Sequence, residues 1–185
     1  MLPLAVDVVG RDVLIVGMGR VGSHKARLLI EAGARVHVIT DVALVPSPEG
    51  VTSMQLRPYQ PGDVAGYFLV VSATANDEVN DLIVADAVAN NTLLNVVDDP
   101  RRCNFYFTSV HRDGDVIVSV STSGASPSLA QWIRRRVQEL LPAGLGQVAS
   151  ALRQERAALH ERGESTELDW SSRVASLVRG LDAPR

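Results

Sequence analysis

Three glycines near the amino terminus have the spacing of a phosphate-binding turn. Gly17, Gly19 and Gly22 follow an apolar run, and a proline-free segment suited to a helix comes after them. In such a unit the first glycine makes the tight turn, the second lets the backbone approach a pyrophosphate, and the third lets helix and strand pack closely. Free N–H groups at the helix start favour an anion. The spacing predicts a dinucleotide site, with a purely structural turn as the alternative.

A carboxylate further along selects the dinucleotide. Asp41 closes a branched apolar run that begins at Arg35, at about the twenty-residue spacing after the glycines expected of a ribose-binding acid. A carboxylate there hydrogen-bonds the ribose 2′-OH and repels a 2′-phosphate. The predicted cofactor is therefore NAD.

Asp98 is the candidate catalytic residue. It ends the apolar run 93–97, which we interpret as a parallel strand, and open α/β sheets bind their ligands at the carboxyl ends of such strands. A proton-accepting carboxylate beside a cofactor would act as a general base. Capping of the turn before Pro100 is the alternative, because Asp often bonds turn backbone. His111, which follows in the order of elements, is the second candidate.

Thr74 and three asparagines present a similar choice. Thr74 follows another apolar run, and Asn76, Asn80 and Asn95 either line the same crevice or make caps and turn bonds. The sequence alone leaves both interpretations open.

Alternating apolar runs and helical segments must position these residues. Strands are predicted at 13–16, 35–40, 51–56, 68–73 and 93–97, and helices at 23–34 and from 77 to about 90. This alternation predicts an α/β fold with a doubly wound parallel sheet of the Rossmann type. Two further runs, 105–111 and 116–120, flank Asp113-Gly114, which predicts a hairpin. From Ser126 onward the period is helical, with a last helix at about 169–181.

Composition excludes several classes of protein. The 185 residues are 46% hydrophobic and 21% charged with a net charge of −3, which favours a globular domain and gives no sign of nucleic-acid or membrane binding. The single cysteine, Cys103, cannot form an intrachain disulfide, and no Cys or His spacing predicts a bound metal. No apolar run is long enough to span a membrane, so we expect a cytoplasmic protein.

Several motifs in order resemble the precorrin-2 dehydrogenase and sirohydrochlorin ferrochelatase family, of the siroheme-synthase N-terminal type. The resemblance covers residues 1 to about 142. The motifs that carry it are Leu2-Pro3-Leu4, Val16-Gly17-Met18-Gly19 with Lys25, Ala73-Thr74 with Val79-Asn80, Asn95-Val96-Val97-Asp98, Cys103-Asn104-Phe105, and Ser121-Thr122-Ser123-Gly124-Ala125-Ser126-Pro127.

The resemblance implies a Rossmann-type sheet followed by a dimerisation region and a small helical C-terminal domain. The implied bounds are 1–103 for the NAD-binding domain, 104–142 for the dimerisation region of a homodimer, and 143–185 for the helical domain. It also implies which residues act. Asp98 is then the catalytic residue, and NAD is held by Gly17, Met18, Gly19, Arg20, Val21, Gly22, Asp41, Val42 and Thr74.

The implied activity is NAD-dependent oxidation of the tetrapyrrole precorrin-2 to sirohydrochlorin. Insertion of ferrous iron could follow, with the metal passing through rather than being held in a permanent site, and the sequence leaves this second activity open. The main alternative is a non-enzymatic NAD(H)-binding redox sensor or regulatory domain, which would keep the glycine turn without needing Asp98. A dehydrogenase of small substrates ranks lower, because no catalytic His/Asp or Lys/Tyr pair is evident.

Overall fold

The computed structural model describes residues 2–43 and 46–181. The chain divides into two units, Met1–Tyr106 and Phe107–Arg185. The finer division into 1–103, 104–142 and 143–185 stays a prediction.

The first unit is built on one parallel sheet. Its elements are β1 (Asp12–Met18), α1 (Arg20–Glu31), β2 (Arg35–Ala43), β3 (Val51–Leu56), β4 (Leu69–Ser72), α2 (Asp77–Asn90) and β5 (Leu93–Val96), followed by a 3-10 turn at Pro100–Arg102. The strand order is β3-β2-β1-β4-β5, and every pairing is parallel. The strand order reverses between β1 and β4, as in the Rossmann arrangement, which confirms the predicted α/β fold.

The two helices cover opposite faces of the sheet because strand side chains alternate. Leu14 and Val16 of β1 pack in one buried cluster with Ile83 and Ala87 of α2. The intervening residues of β1 are equally buried, and alternation directs them to the other face, which α1 covers. Burial on both faces explains why the central strands read as nearly continuous apolar runs.

The free edge of β5 is closed by an asparagine instead of a sixth strand. Asn104 Oδ1 accepts from the Leu94 N–H at 2.7 Å, and its Nδ2 donates to the Thr92 carbonyl at 3.1 Å. Asn95, buried in β5, donates through Nδ2 to the Phe105 carbonyl at 3.1 Å. Pairing of an edge in this way removes exposed strand hydrogen-bonding groups.

The connection from β3 to β4 is fixed by ionic and polar contacts. The Arg57 guanidinium donates hydrogen bonds to both carboxylate oxygens of Asp63, at 2.6 and 2.8 Å, and Asp63 also accepts from the Gln60 N–H at 2.8 Å. Tyr59 is buried, and its hydroxyl donates to Asp86 of α2. These contacts hold a long connection without a helix of its own.

The amino-terminal lead-in is extended coil. Leu2 and Leu4 are 74% and 73% exposed, so the structure gives them no partner surface within the first unit. The segment is tied down next to β1 instead, where Gly10 N–H donates to the Gly33 carbonyl at 2.8 Å and Val9 packs on Gly33. The lead-in is therefore anchored at the turn between α1 and β2.

The second unit contains the predicted hairpin and three helices. Its elements are β6 (Ser109–Asp113), β7 (Val116–Val120), α3 (Pro127–Leu140), α4 (Leu145–Glu161) and α5 (Ser171–Leu181). The hairpin is antiparallel, with Gly114 at a φ of +56° in its turn. Ser126 caps α3 by accepting from the Leu129 N–H at 3.2 Å, as Pro127 at the first helical position predicts. In the described residues, no helix combines the length and apolar character needed to cross a membrane.

Candidate functional site

The glycine turn joins β1 to α1 at the carboxyl edge of the sheet. Gly17 has a φ of +95°, a left-handed conformation that favours glycine, and a Cβ there would lie 2.8 Å from the Ala73 carbonyl oxygen. A Cβ on Gly22 would lie 2.1 Å from the Gly17 carbonyl oxygen. Both glycines are thus required by close backbone approach. Gly17 presses the turn against the end of β4, and Gly22 brings α1 onto the turn.

The start of α1 is open to an anion, unlike the starts of α2 and α3. Gly19 precedes α1 and offers no side chain, so no side chain among the described residues caps this helix, and its first turn contains no acidic residue. By contrast, Asn76 caps α2 and Ser126 caps α3. The first N–H groups of an α-helix have no partner within the helix. The geometry therefore fits a pyrophosphate seated on α1, beside the exposed Arg20 and Val21.

The end of β2 lies alongside this turn. Met18 pairs with Ala43 across the two strands after a break in register, so Asp41 and Val42 come next to the glycine turn, and both are exposed. Their position fits contacts to a ribose. Residues 44 and 45, which continue this segment, are outside the described part of the chain.

Thr40 is a residue that the sequence reasoning missed. Its buried hydroxyl accepts from the Met18 N–H at 3.2 Å and donates to the Val42 carbonyl at 2.6 Å. This bridge locks the glycine turn to the Asp41 segment, while the Met18 side chain is buried in the core. A hydroxyl that continues the buried alternation of Val36 and Val38 was the available signal, since a buried hydroxyl needs a partner.

Thr74 follows β4 at the switch point between β4 and β1. Its Oγ1 accepts from the Asn76 N–H at 3.2 Å. Asn76 caps α2, accepting from the Glu78 and Val79 N–H groups at 3.0 and 3.2 Å. Asn80 is buried, and its Oδ1 accepts a hydrogen bond from the Ser72 hydroxyl at 2.6 Å. Together with Asn95 in β5, these amides make caps and structural bonds, and Thr74 is half-buried just after the end of β4.

Asp98 lies exposed in the turn after β5, at the same edge of the sheet. The Val97 N–H donates to the Ser72 carbonyl at 2.9 Å, which is the last contact between this segment and β4. Asp98 is the next residue. Its φ is +60°, which is uncommon for a residue with a Cβ. No described group hydrogen-bonds its carboxylate. Strained backbone conformations cluster at functional sites. Asp98 combines such a backbone with a carboxylate that has no hydrogen-bond partner among the described residues, at the edge of the sheet where ligands bind.

The turn-capping role belongs to the neighbouring aspartate. Asp99 Oδ1 accepts from the Arg101 N–H at 3.1 Å and caps the 3-10 turn. Arg102 then binds three carboxylates: Asp77 at 2.9 Å, Asp81 at 2.6 Å and Asp99 at 3.4 Å. Asp77 and Asp81 belong to α2, so Arg102 ties the Asp98 turn to that helix. Asp98 itself is free of these contacts.

Cys103 stabilises the same turn through hydrogen bonds of its sulfur to the backbone. Its thiol donates to the Val96 and Asp99 carbonyls, each at 3.2 Å, and Val96 N–H donates to the sulfur at 3.2 Å. Burial raises the pKa of the Cys103 thiol, so it stays protonated at neutral pH. Its role is structural.

His111 is half-buried in β6, in the second unit. Across residues 2–43 and 46–181, no group of three or more His, Cys, Asp or Glu side chains is arranged to hold a metal ion.

Comparisons with known proteins agree with this geometry. A family model described as "Putative NAD(P)-binding" matches residues 4–109. The siroheme synthase of Photorhabdus laumondii subsp. laumondii is 33% identical over 96% of this chain and 40% of its own length. That of Ectopseudomonas mendocina is 38% identical over 80% of this chain and 33% of its own length. The chain thus spans less than half of these curated relatives.

A solved structure also matches nearly the whole chain. The precorrin-2 dehydrogenase SirC superposes with a TM-score of 0.70 over 99% of this chain and 90% of its own, at 20% identity. This likeness establishes the fold. The family match confirms the prediction of a nicotinamide dinucleotide as cofactor. With its glycine turn and uncapped α1, the chain belongs to the family described as putative NAD(P)-binding.

Proposed function

We propose that the protein oxidises precorrin-2 to sirohydrochlorin with NAD. One observation carries the proposal. The start of α1 has no side-chain cap and can bind an anion, and Asp98, whose carboxylate has no hydrogen-bond partner among the described residues, lies at the same edge of the sheet. The names of the relatives and of the superposed structure support the choice of substrate. A regulatory nucleotide sensor would need the glycine turn but would have no use for a strained, exposed carboxylate beside it.

In the proposed reaction, NAD supplies the hydride acceptor when bound. The α1 amides would hold its pyrophosphate, Asp41 would bind the adenosine ribose, and Thr74, just after β4, would contact the cofactor at the same edge of the sheet. The macrocycle loses a hydride and a proton, and Asp98 Oδ accepts that proton as general base. Arg102 and the Cys103 thiol act on Asp98 only by holding its turn in place.

Iron insertion is the second half of the proposal. Placing ferrous iron, as a substrate, in sirohydrochlorin releases two pyrrole protons, and the base we assign to them is again Asp98. His111 is the alternative base. The proposal includes a homodimer formed through residues 104–142, supported by apolar side chains left exposed there. These are Val110, Ile117, Leu129, Trp132 and Leu140, each 46% exposed or more.

The test is a pair of aspartate substitutions measured on the same preparations. Asp98→Asn removes the base yet suits the left-handed backbone, because Asn adopts positive φ readily. We expect an unchanged Kd for NAD and turnover lowered about 100-fold to 10,000-fold, the range for loss of a general base. Asp99→Asn is the control, since it removes the neighbouring charge, keeps an amide oxygen that can cap the 3-10 turn, and leaves the Asp98 carboxylate unchanged, so turnover should stay within a few-fold of the parent.

Turnover of Asp98→Asn within a few-fold of the parent at saturating NAD would contradict the assignment of Asp98. The same measurement on His111→Asn would then decide between the two candidate bases.

A further inference from the structure

Two adjacent arginines follow the candidate base, and the fold engages the side chain of only one of them. Arg102 is 25% exposed and binds the carboxylates of Asp77, Asp81 and Asp99. The Arg101 side chain is exposed and makes no hydrogen bond or ion pair with any described residue. The fold therefore accounts for the charge of Arg102 and leaves the charge of Arg101 available to a ligand.

The backbone of Arg101 is held close to Asp98. Arg101 lies in the 3-10 turn Pro100–Arg102, and its N–H donates to Asp99 Oδ1 at 3.1 Å. Asp98 is three residues earlier, so the two Cα atoms are at most about 10 Å apart, and the turn shortens that distance. The long side chain of Arg101 can therefore reach a group that is bound next to Asp98.

The charges around this turn require a further cation if the ligand is anionic. Three carboxylates are bound to Arg102 alone, and Asp98 adds a fourth beside them. Such a cluster repels an anionic molecule that approaches Asp98. A guanidinium is always protonated and binds a carboxylate through two parallel hydrogen bonds. Arg101 thus supplies both the charge and the donor geometry that a carboxylate next to Asp98 needs.

We propose that Arg101 binds a peripheral carboxylate of the tetrapyrrole substrate. The inference rests on the proposed function for the identity of that substrate, a macrocycle with eight carboxylates. Arg101, Arg102 and Asp98 all belong to the first unit, so the contact is made within that unit. Arg101 is a substrate-binding residue, distinct from the base and from the support that Arg102 gives to the turn.

Binding of uroporphyrin, a stable porphyrin with eight carboxylates, tests this contact without turnover. Fluorescence titration of the full chain compares the parent with Arg101→Ala, Arg101→Lys and a matched control, Arg27→Ala, which removes the same charge from an exposed position of α1. We expect Arg101→Ala to raise Kd about fivefold to tenfold and the control to leave it unchanged. Arg101→Lys should raise Kd less, because an ammonium keeps the charge but not the paired hydrogen bonds.

Two further measurements exclude a structural effect of the substitution. Thermal melting of Arg101→Ala should match the parent, because its side chain has no contact with the described residues to lose. Added salt screens exposed charges, so Kd for uroporphyrin should rise less steeply with sodium chloride in Arg101→Ala than in the parent. Equal Kd values for the parent and Arg101→Ala, equal losses in both alanine variants, or an unchanged salt dependence would overturn the proposal.

Turnover separates this inference from the function on which it rests. With precorrin-2, Arg101→Ala is expected to raise KM and to leave kcat and the Kd for NAD unchanged, because it removes uniform substrate binding. A parent protein that binds uroporphyrin through Arg101 but does not oxidise precorrin-2 would refute the proposed function and support the carboxylate contact. Oxidation by the parent with an unaltered KM in Arg101→Ala would support the function and refute the contact.

Discussion

Substitution of Gly22 by alanine should weaken NAD binding through a steric clash alone. The new Cβ would lie 2.1 Å from the Gly17 carbonyl oxygen. Because Cβ atoms essentially never come within 3.0 Å of such an atom, the start of α1 must move by roughly 1 Å or the turn must distort. The contact is with backbone, so no side chain can relieve it by rotating.

The magnitude follows from two costs. Overpacking of this kind destabilises a folded protein by about 1–3 kcal/mol. Moving α1 also misaligns the amides that would hold the pyrophosphate, and a hydrogen bond to a charged group contributes about 1.5–3 kcal/mol. Loss of one such bond raises the Kd for NAD about tenfold to a hundredfold.

Gly180→Ala is the matched control. Gly180 lies in α5, and apart from its chain neighbours and the backbone of its own helix, no atom of the described residues comes within 4 Å of the position that a methyl group would take there, so alanine meets open space among those residues. Better helix propensity should leave stability equal or raise it by up to about 1 kcal/mol. Thermal melting and titration of NADH fluorescence on both variants provide the measurement. Parent-like affinity for NADH in folded Gly22→Ala would refute the account of the glycine turn.

Three further predictions concern the cofactor, acid stability and assembly. NAD should bind at least about tenfold more tightly than NADP, because the Asp41 carboxylate repels a 2′-phosphate. Asp41→Asn should lower the ratio of the Kd for NADP to the Kd for NAD. Equal affinities of the parent for the two dinucleotides by titration would contradict this. The hydrogen bonds from Arg57 lower the pKa of Asp63 from 3.8, so the stability they add is complete above pH 3.8 and is lost as the pH falls through the lowered pKa. Asp63→Asn should therefore cost about 1–2 kcal/mol in urea unfolding at neutral pH and progressively less below pH 3.8, and an equal cost at pH 3 would count against the ion pair. Light scattering at micromolar concentration should give the mass of a dimer, and a monomer would exclude the interface through residues 104–142.

The sheet was predictable because its signals are local. The apolar runs of β1, β4 and β5, the glycine spacing and Asp113-Gly114 each specify an element from neighbouring residues. Burial on both faces requires such runs in a parallel sheet. The α2 and α3 starts were equally legible, since Asn76 and Ser126 are common capping residues.

The supports of the site depend on contacts between distant residues and could not be predicted in this way. Thr40 of β2 accepts a hydrogen bond from the Met18 N–H of the neighbouring strand β1. Arg102, after β5, forms ion pairs with Asp77 and Asp81 of α2. Asp98 and Asp99 were also indistinguishable as a sequence pair. Backbone geometry separates them, because Asp99 directs its carboxylate to the Arg101 amide while Asp98 is left exposed at positive φ.

Stoichiometric turnover tests the central claim most directly. Precorrin-2 and NAD are incubated with the protein without oxygen, and the absorbance of sirohydrochlorin and the fluorescence of NADH are followed together. The account predicts one NADH for each sirohydrochlorin formed, at a rate proportional to protein concentration. Tight binding of NAD with precorrin-2 left unoxidised would contradict it and would favour a nucleotide sensor.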